Sequence, residues 1–276
     1  MNEGHTPLAL PMGFFAAFYR PPGSMYTAGM TELERYLTRK SVVPNRVTAV
    51  AADGTRMELF LAPGCRPQEA RDAGEFVCIF PSVEYPSRAG DSIAHGKLGE
   101  SAAVESAGRF YTLRFGRKTG EFELSLDELT PLQVWYQRVG DTWVVSSDLR
   151  CFRRISYPQL NETALRLLLV YQSLPPGMSI FRGVRSVPAL HSLKLAPDTE
   201  PELVPHPVRR FPELQNQTSI ADCARAFTVE MDEALGQMLG SSMNYVCFSG
   251  GVDSAYVAWR LRSLGAPCDL VYYSFI

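Results

Sequence analysis

The sequence predicts an α+β domain built on antiparallel sheet, followed by the start of an α/β domain with a parallel sheet. Three observations carry this prediction. Short apolar stretches joined by turns succeed one another as far as about residue 150, where strand-type alternation ends. A proline-rich stretch follows, and beyond it come a helix, a strand, a glycine loop, a second helix and a second strand. The length of 276 residues with 46% apolar content supplies cores for about two domains at roughly 150 residues each.

The longest apolar run, Leu8 to Tyr19, contains Pro11 and falls short of the roughly 20 residues that cross a bilayer. Glu3 and His5 precede it in place of lysine or arginine, so it does not read as a signal segment and is expected to be a buried strand. Val47 to Ala51 and Met57 to Leu61 flank Asp53-Gly54, a pair that closes hairpins. Four more strands are expected between Arg109 and Ser147. Among them Phe122, Leu124 and Leu126 alternate with Glu121, Glu123 and Ser125, Leu132 to Arg138 follows, and Gly140-Asp141 turns the chain into Trp143 to Ser146. Consecutive hairpins imply antiparallel pairing.

Asn161 is placed to cap a helix whose Leu165, Leu168, Leu169 and Gln172 share a face, and Pro175-Pro176-Gly177 stops it. From Ala196 to Asn216, five prolines among few apolar residues predict an extended linker. The expected organisation is therefore a first domain over 1–195, a linker over 196–216 and the beginning of a second domain over 217–276. Ile220, Cys223, Ala224, Phe227, Met231, Ala234, Leu235 and Met238 recur at helical spacing behind Thr218 or Ser219 as cap. Tyr245 to Phe248 reads as a strand. A helix is expected from near Asp253, with Val257, Ala258, Leu261 and Leu264 inward and Gly265 at its C-terminal end. Leu270 to Ile276 reads as a second strand, completing a βαβ unit whose sheet needs further strands to be buried on both faces.

Composition excludes several classes of function. The net charge of −2 leaves no basic surplus for a nucleic-acid backbone or an anionic membrane. Charged residues at 20% and aromatic residues at 11% place the chain among globular proteins. Cys65, Cys78, Cys151, Cys223, Cys247 and Cys268 include no CxxC pair and no zinc-type spacing, which points to reduced thiols and a cytoplasmic location. The four histidines are equally dispersed, so no metal cluster or histidine-based centre follows from local spacing.

The chemistry is expected in Ser249-Gly250-Gly251-Val252-Asp253-Ser254, between the strand and helix of the βαβ unit. Five such positions match by accident in on the order of 10⁻⁴ of chains this long. Glycines let backbone approach an anion closely, and serine hydroxyls and open amides at a helix start supply donors. No lysine follows as in GxxxxGK[ST] and no third glycine is spaced as in GxGxxG, which removes support for kinase, GTPase and dehydrogenase readings. An aspartate beside phosphates requires a divalent cation between them, so Asp253 is assigned to Mg²⁺; its other reading is a helix N-cap. A buried structural thiol is expected at Cys247, a structural role at His191 and a core role for Phe14 to Phe18.

The loop resembles the pyrophosphate loop of N-type ATP pyrophosphatases, matching it at Ser249, Gly250, Gly251, Asp253 and Ser254. The layout is similar to the asparagine synthetase, β-lactam synthetase and lasso-peptide cyclase family. Gly108-Arg109-Phe110, the run Asp127 to Tyr136 with Pro131-Leu132, Ile180-Phe181-Arg182-Gly183, Val187-Pro188 and His191 also fit. The resemblance implies an N-terminal nucleophile-type domain, with two antiparallel sheets in αββα layers, before an adenine nucleotide hydrolase-like domain. It further implies ATP and Mg²⁺ as cofactors, residues 249–254 as the nucleotide site and a small-molecule or peptide carboxylate as substrate.

Two departures refine that expectation. Glutaminase members begin Met-Cys-Gly, whereas the matching stretch here is Met12-Gly13-Phe14, with eleven residues before it and no thiol nucleophile. The expected activity is therefore an ATP-dependent, amide-forming ligase that adenylates a carboxylate without making ammonia from glutamine. The alternatives are a glutamine-hydrolysing asparagine synthetase and a non-catalytic interaction module. The family's adenine-lining strand corresponds to Ser274-Phe275-Ile276, so the chain is expected to be a fragment or half of a split enzyme, completed by a continuation or second chain. No catalytic residue is assignable within it.

Overall fold

The computed structural model describes residues 15–24, 28–39, 45–61, 68–72, 74–81, 110–126, 133–206, 219–239 and 243–272. The described residues divide into two compact units, one over 15–206 and one over 219–272. The first contains β1 (Phe15–Arg20), α1 (Ala28–Arg39), β2 (Asn45–Val50), β3 (Arg56–Leu61), β4 (Gln68–Asp72), β5 (Glu75–Pro81), β6 (Phe110–Gly116) and β7 (Phe122–Leu126). It continues with β8 (Trp135–Val139), β9 (Thr142–Ser146), α2 (Arg150–Ile155), α3 (Glu162–Tyr171), β10 (Arg185–Ser186), β11 (His191–Leu195) and β12 (Glu202–Pro205). The second contains α4 (Ile220–Met238), β13 (Asn244–Cys247), α5 (Val252–Ser263) and β14 (Cys268–Val271).

The strands of the first unit form two six-stranded antiparallel sheets, ordered β10-β8-β9-β1-β3-β2 and β12-β11-β7-β6-β5-β4. Period-two alternation decides which side chains meet. Phe15, Ala17 and Tyr19 of β1, Met57, Leu59 and Leu61 of β3, and Tyr136 and Val145 face Leu113, Phe115, Phe122, Leu124, Leu193 and Leu195 of the other sheet in one core. The intervening residues of the first sheet, Ala16, Phe18, Phe60 and Val144, pack under Leu33 of α1 and Cys151, Phe152 and Ile155 of α2. All six residues of β1 are therefore buried, as expected of a strand covered on both faces. Helix, sheet and sheet are three of the layers of the two-sheet arrangement anticipated for the N-terminal part. Leu8 to Phe14, Gly108-Arg109 and Asp127 to Leu132 lie outside the described residues.

The hairpin at Asp53-Gly54 joins β2 to β3 with Val50 opposite Arg56. Asp53 accepts hydrogen bonds from the backbone N–H and hydroxyl of Thr55, which hold its carboxyl below the usual carboxylate range. Asn161 caps α3 by accepting from the N–H of Ala164. Gln172 does not extend the apolar face of that helix; it is the left-handed C-cap at φ 56°. Leu169 on that face is 74% exposed, and the buried side chain of the helix is Ala164.

Two expectations for the connecting region are corrected. The stretch from Ala196 onward is not all linker, because Glu202–Pro205 forms β12 and pairs antiparallel with β11, Leu203 opposite Leu193. Proline is tolerated there because β12 is an edge strand. The strand expected over Leu132 to Arg138 begins at Trp135 and ends at Val139. Residues 207–218 lie outside the description.

In the second unit β13 and β14 pair in parallel, Asn244 opposite Cys268 and Cys247 opposite Val271. The last strand thus starts two positions before the expected Leu270, and 273–276 lie outside the described residues. Ser219 caps α4 through the N–H of Asp222. Leu235, Val246 and Leu261 form the core, with Met231, Val257 and Ala258 against it. Leu264, expected inward, is exposed, because it is the C-cap of α5 rather than part of its inner stripe. Among the described residues no helix is long and apolar enough to cross a membrane.

Burial raises the Cys151 thiol to about 12, with the Asp148 charge adding to the rise. Only thiolate is a nucleophile. Native protein at pH 8 is expected to leave Cys151 unmodified by iodoacetamide while exposed Cys223 and Cys247 react, as read by peptide mass mapping. Phe122→Ala in the inter-sheet core is expected to lower unfolding free energy by about 3–5 kcal/mol in denaturant titration.

Candidate functional site

The 249–254 loop lies where the parallel pair of strands hands the chain to α5. Phe248 continues the strand ladder by donating its N–H to the Val271 carbonyl at 2.8 Å. The backbone then reverses at Gly250, which takes φ +81°, a left-handed conformation that strains a side-chain-bearing residue. Gly251 is the N-cap in extended geometry, without a side-chain cap, and the first helical bond runs from the N–H of Ala255 to the Gly251 carbonyl at 3.1 Å. Asp253 is therefore not the cap. It sits within the first turn, where a carboxylate is favoured by the helix dipole.

Donor accounting separates the loop's hydroxyls from its amides. Ser254 Oγ donates to the Gly251 carbonyl at 3.0 Å, and the hydroxyls of Ser249 and Ser254 are 3.2 Å apart. Ser254 Oγ accepts the N–H of Ser249, and Ser249 Oγ accepts the N–H of Gly251, both at 3.3 Å. Each hydroxyl has one proton. With that of Ser254 on Gly251, the proton between the serines belongs to Ser249, so both hydroxyls brace the loop instead of serving as donors to an anion as the sequence suggested. The N–H groups of Gly250, Val252 and Asp253 have no protein acceptor among the described residues. They stand at an open surface, since a Cβ built on Gly250 would meet nothing within 4 Å and Val252 is 80% exposed.

These features suit an anion on the amides, and Asp253 is the one acidic residue within 249–254. Mg²⁺ is commonly held by one or two protein carboxylates together with substrate phosphates, so a single aspartate suffices for such an ion. Among the described residues no group of three or more metal-ligating side chains forms. The donor set fits a metal carried on a phosphate ligand better than a metal caged by protein.

Behind the loop, Asp232 of α4 accepts from both Nε, at 2.8 Å, and Nη2 of Arg260 on α5. This fork raises the Arg260 pKa, and the guanidinium also lies 5.1 Å over Trp259. Thr228 and Tyr256 hydroxyls meet at 3.1 Å between the same helices. These contacts orient the helix that presents the amides, and sequence reasoning missed them, because residues 28 apart carry no local spacing signal. Cys247 is exposed rather than buried: Val246 takes the helix-covered face of β13, and Tyr245 and Cys247 take the other. His191 starts β11, its Nδ1 2.8 Å from the Ala189 carbonyl.

No family model matches the chain. No curated protein matches it in sequence. Among solved structures it is similar to the glutamine phosphoribosylpyrophosphate amidotransferase from B. subtilis complexed with ADP and GMP, at 9% identity and a TM-score of 0.44. That match covers 92% of this chain, which spans 65% of the length of the amidotransferase. It is also similar to a structure of the allosteric regulatory enzyme of purine biosynthesis, at 11% identity and a TM-score of 0.44, covering 95% of this chain and 67% of that one.

Gly250→Ala is expected to destabilise the second unit by about 1–2 kcal/mol, the penalty of the left-handed region for an L side chain, as measured by denaturant unfolding followed through Trp259 fluorescence.

Proposed function

We propose that the protein is an ATP-dependent, amide-forming ligase of the asparagine synthetase-like kind, in which residues 249–254 hold the triphosphate. The observation that carries this reading is the set of unclaimed N–H groups of Gly250, Val252 and Asp253 around a left-handed glycine, at the end of a parallel strand and the start of a helix. Aligned amides at a helix N-terminus are anion donors by construction. The match of the loop to the pyrophosphate-loop pattern supplies the second support.

In the proposed reaction a carboxylate oxygen attacks the α-phosphorus of ATP, the bond from that phosphorus to the bridging oxygen breaks, and pyrophosphate leaves with the electron pair. A nitrogen nucleophile then attacks the acyl carbon and AMP departs. The loop amides would neutralise charge growing on the leaving pyrophosphate, and Asp253 would hold Mg²⁺, whose charge would stabilise the same leaving group. The braced serine hydroxyls keep those amides in place and need no reorganisation at the moment of reaction. The substrate is proposed to be a small-molecule or peptide carboxylate. Residues up to Pro205 are proposed to form a glutaminase-like domain without glutaminase activity, as Met12-Gly13-Phe14 provides no nucleophile, and the 217–276 region to belong to the ATP domain.

Isothermal titration with ATP in the presence and absence of Mg²⁺ tests the site directly. Wild type is expected to bind ATP more tightly with Mg²⁺, Asp253→Asn to lose that difference, and Gly250→Val to lose binding altogether. An Asp253→Asn protein with an undiminished Mg²⁺ effect would remove the metal role. Glutamate release from glutamine is expected to stay at the uncatalysed level; release above it would favour the glutamine-hydrolysing reading.

A further inference from the structure

A charged concavity lies in the first unit, away from the loop at 249–254 in sequence and independent of the ligase reading. Cross-strand pairing sets Arg20 of β1 directly opposite Arg56 of β3, on the sheet face that also carries Phe18, Glu58 and Phe60. Like charges in opposed positions destabilise a sheet unless a counter-charge joins them. The buried Glu58 does not serve Arg56. One of its oxygens accepts from Arg20 and the other from Arg46 at 2.8 Å, while Arg46 also lies 3.3 Å from Glu34.

Two guanidinium groups, of Arg20 and Arg46, thus share the carboxylates of Glu58 and Glu34, and among the described residues Arg56 has no acidic partner. Arg20 and Arg56 line, with the turn at Pro21–Ser24 and Gly54, an open cavity of about 260 Å³ that has no carboxylate in its described wall. Such a volume exceeds by several-fold the roughly 30 Å³ occupied by one water. Arg20 is 7% exposed and held in place by Glu58, so it is an oriented donor, whereas Arg56 is exposed and meets solvent. The N–H of Gly23, without a protein acceptor among the described residues, adds a neutral donor in the same wall.

We propose that this cavity is a binding site for a tetrahedral oxyanion, phosphate or a phosphomonoester group, clamped between the Arg20 and Arg56 guanidiniums. Planar guanidinium forks match oxyanion geometry, and donors arriving from two strands and a turn suit four oxygens better than the two of a carboxylate. Binding supplies the missing negative charge between the opposed arginines.

Thermal unfolding in sodium phosphate against sodium chloride of equal ionic strength tests the site on the full chain. Wild type is expected to gain roughly 2–4 °C in Tm in phosphate, a typical response to modest stabilisation of a domain of this size. Arg56→Ala is expected to lose that gain while its Tm in chloride equals or exceeds that of wild type, because the repulsion is relieved. Arg56→Gln, which keeps the stem packing, is expected to behave alike. General salting effects of phosphate, and any phosphate on the 249–254 amides, act on all three proteins equally, so the difference between them is the readout. A phosphate gain in both variants equal to that of wild type would overturn the proposal, as would a lower Tm of both variants in chloride.

Discussion

Burial of two facing sheets is the constraint on which the first unit depends. Each strand of the facing pair has to give alternate side chains to one shared core, and β1 has in addition to give the others to a helical layer. Phe15, Ala17 and Tyr19 point one way and Ala16 and Phe18 the other, with every residue of the strand buried. A single-residue slip would carry every side chain of the strand to the opposite face. The register of β1 against β3 and β9 is therefore strongly specified, and with it the opposition of Arg20, which Glu58 pairs, to Arg56, which has no acidic partner among the described residues.

Polar groups follow the same logic. Tyr19 lies within the core yet donates its hydroxyl to the Gly120 carbonyl at 2.9 Å, and its pKa is pushed up by burial first and by Asp53, Glu121 and Asp198 next. Its proton is held where it satisfies a carbonyl. Glu58, nearly buried, is retained because two arginines satisfy its two oxygens. Breaking such a pair leaves an uncompensated charge, so this cluster holds the lower end of the sheet in one arrangement.

The second unit is organised around a different constraint, the change of direction between β13 and α5. A left-handed glycine, an extended cap and two mutually bonded serines make a short turn whose remaining amides have no internal use. That surplus of donors, more than any single side chain, gives the loop its chemical character. The Asp232–Arg260 fork and the Thr228–Tyr256 contact hold the helix that carries it.

Much of this was legible in the sequence because it depends on local period and turn chemistry. Alternation at Phe122, Leu124 and Leu126, the Asp53-Gly54 hairpin, the Asn161 and Ser219 caps and the helical spacing from Ile220 each reflect interactions within a few residues. The turn ahead of α5 was legible for the same reason, as six consecutive residues define both its left-handed glycine and its helix start. Where reading failed, long-range pairing had overridden composition: Glu202–Pro205, within a proline-rich stretch, joined a sheet edge, and Cys247 faced outward because only the Val246 face of its strand met helices. The inward use of the serine hydroxyls also depended on where each proton could go in three dimensions.

The sequence by itself determined the kinds of element, their order and the residues of the glycine turn before α5, since these arise from backbone preferences and side-chain periodicity. Only the tertiary structure decided which strands are neighbours, and so which charges oppose and which donors stay free. Pairing partners lie tens of residues apart along the chain, and no local spacing encodes the register that brings them together.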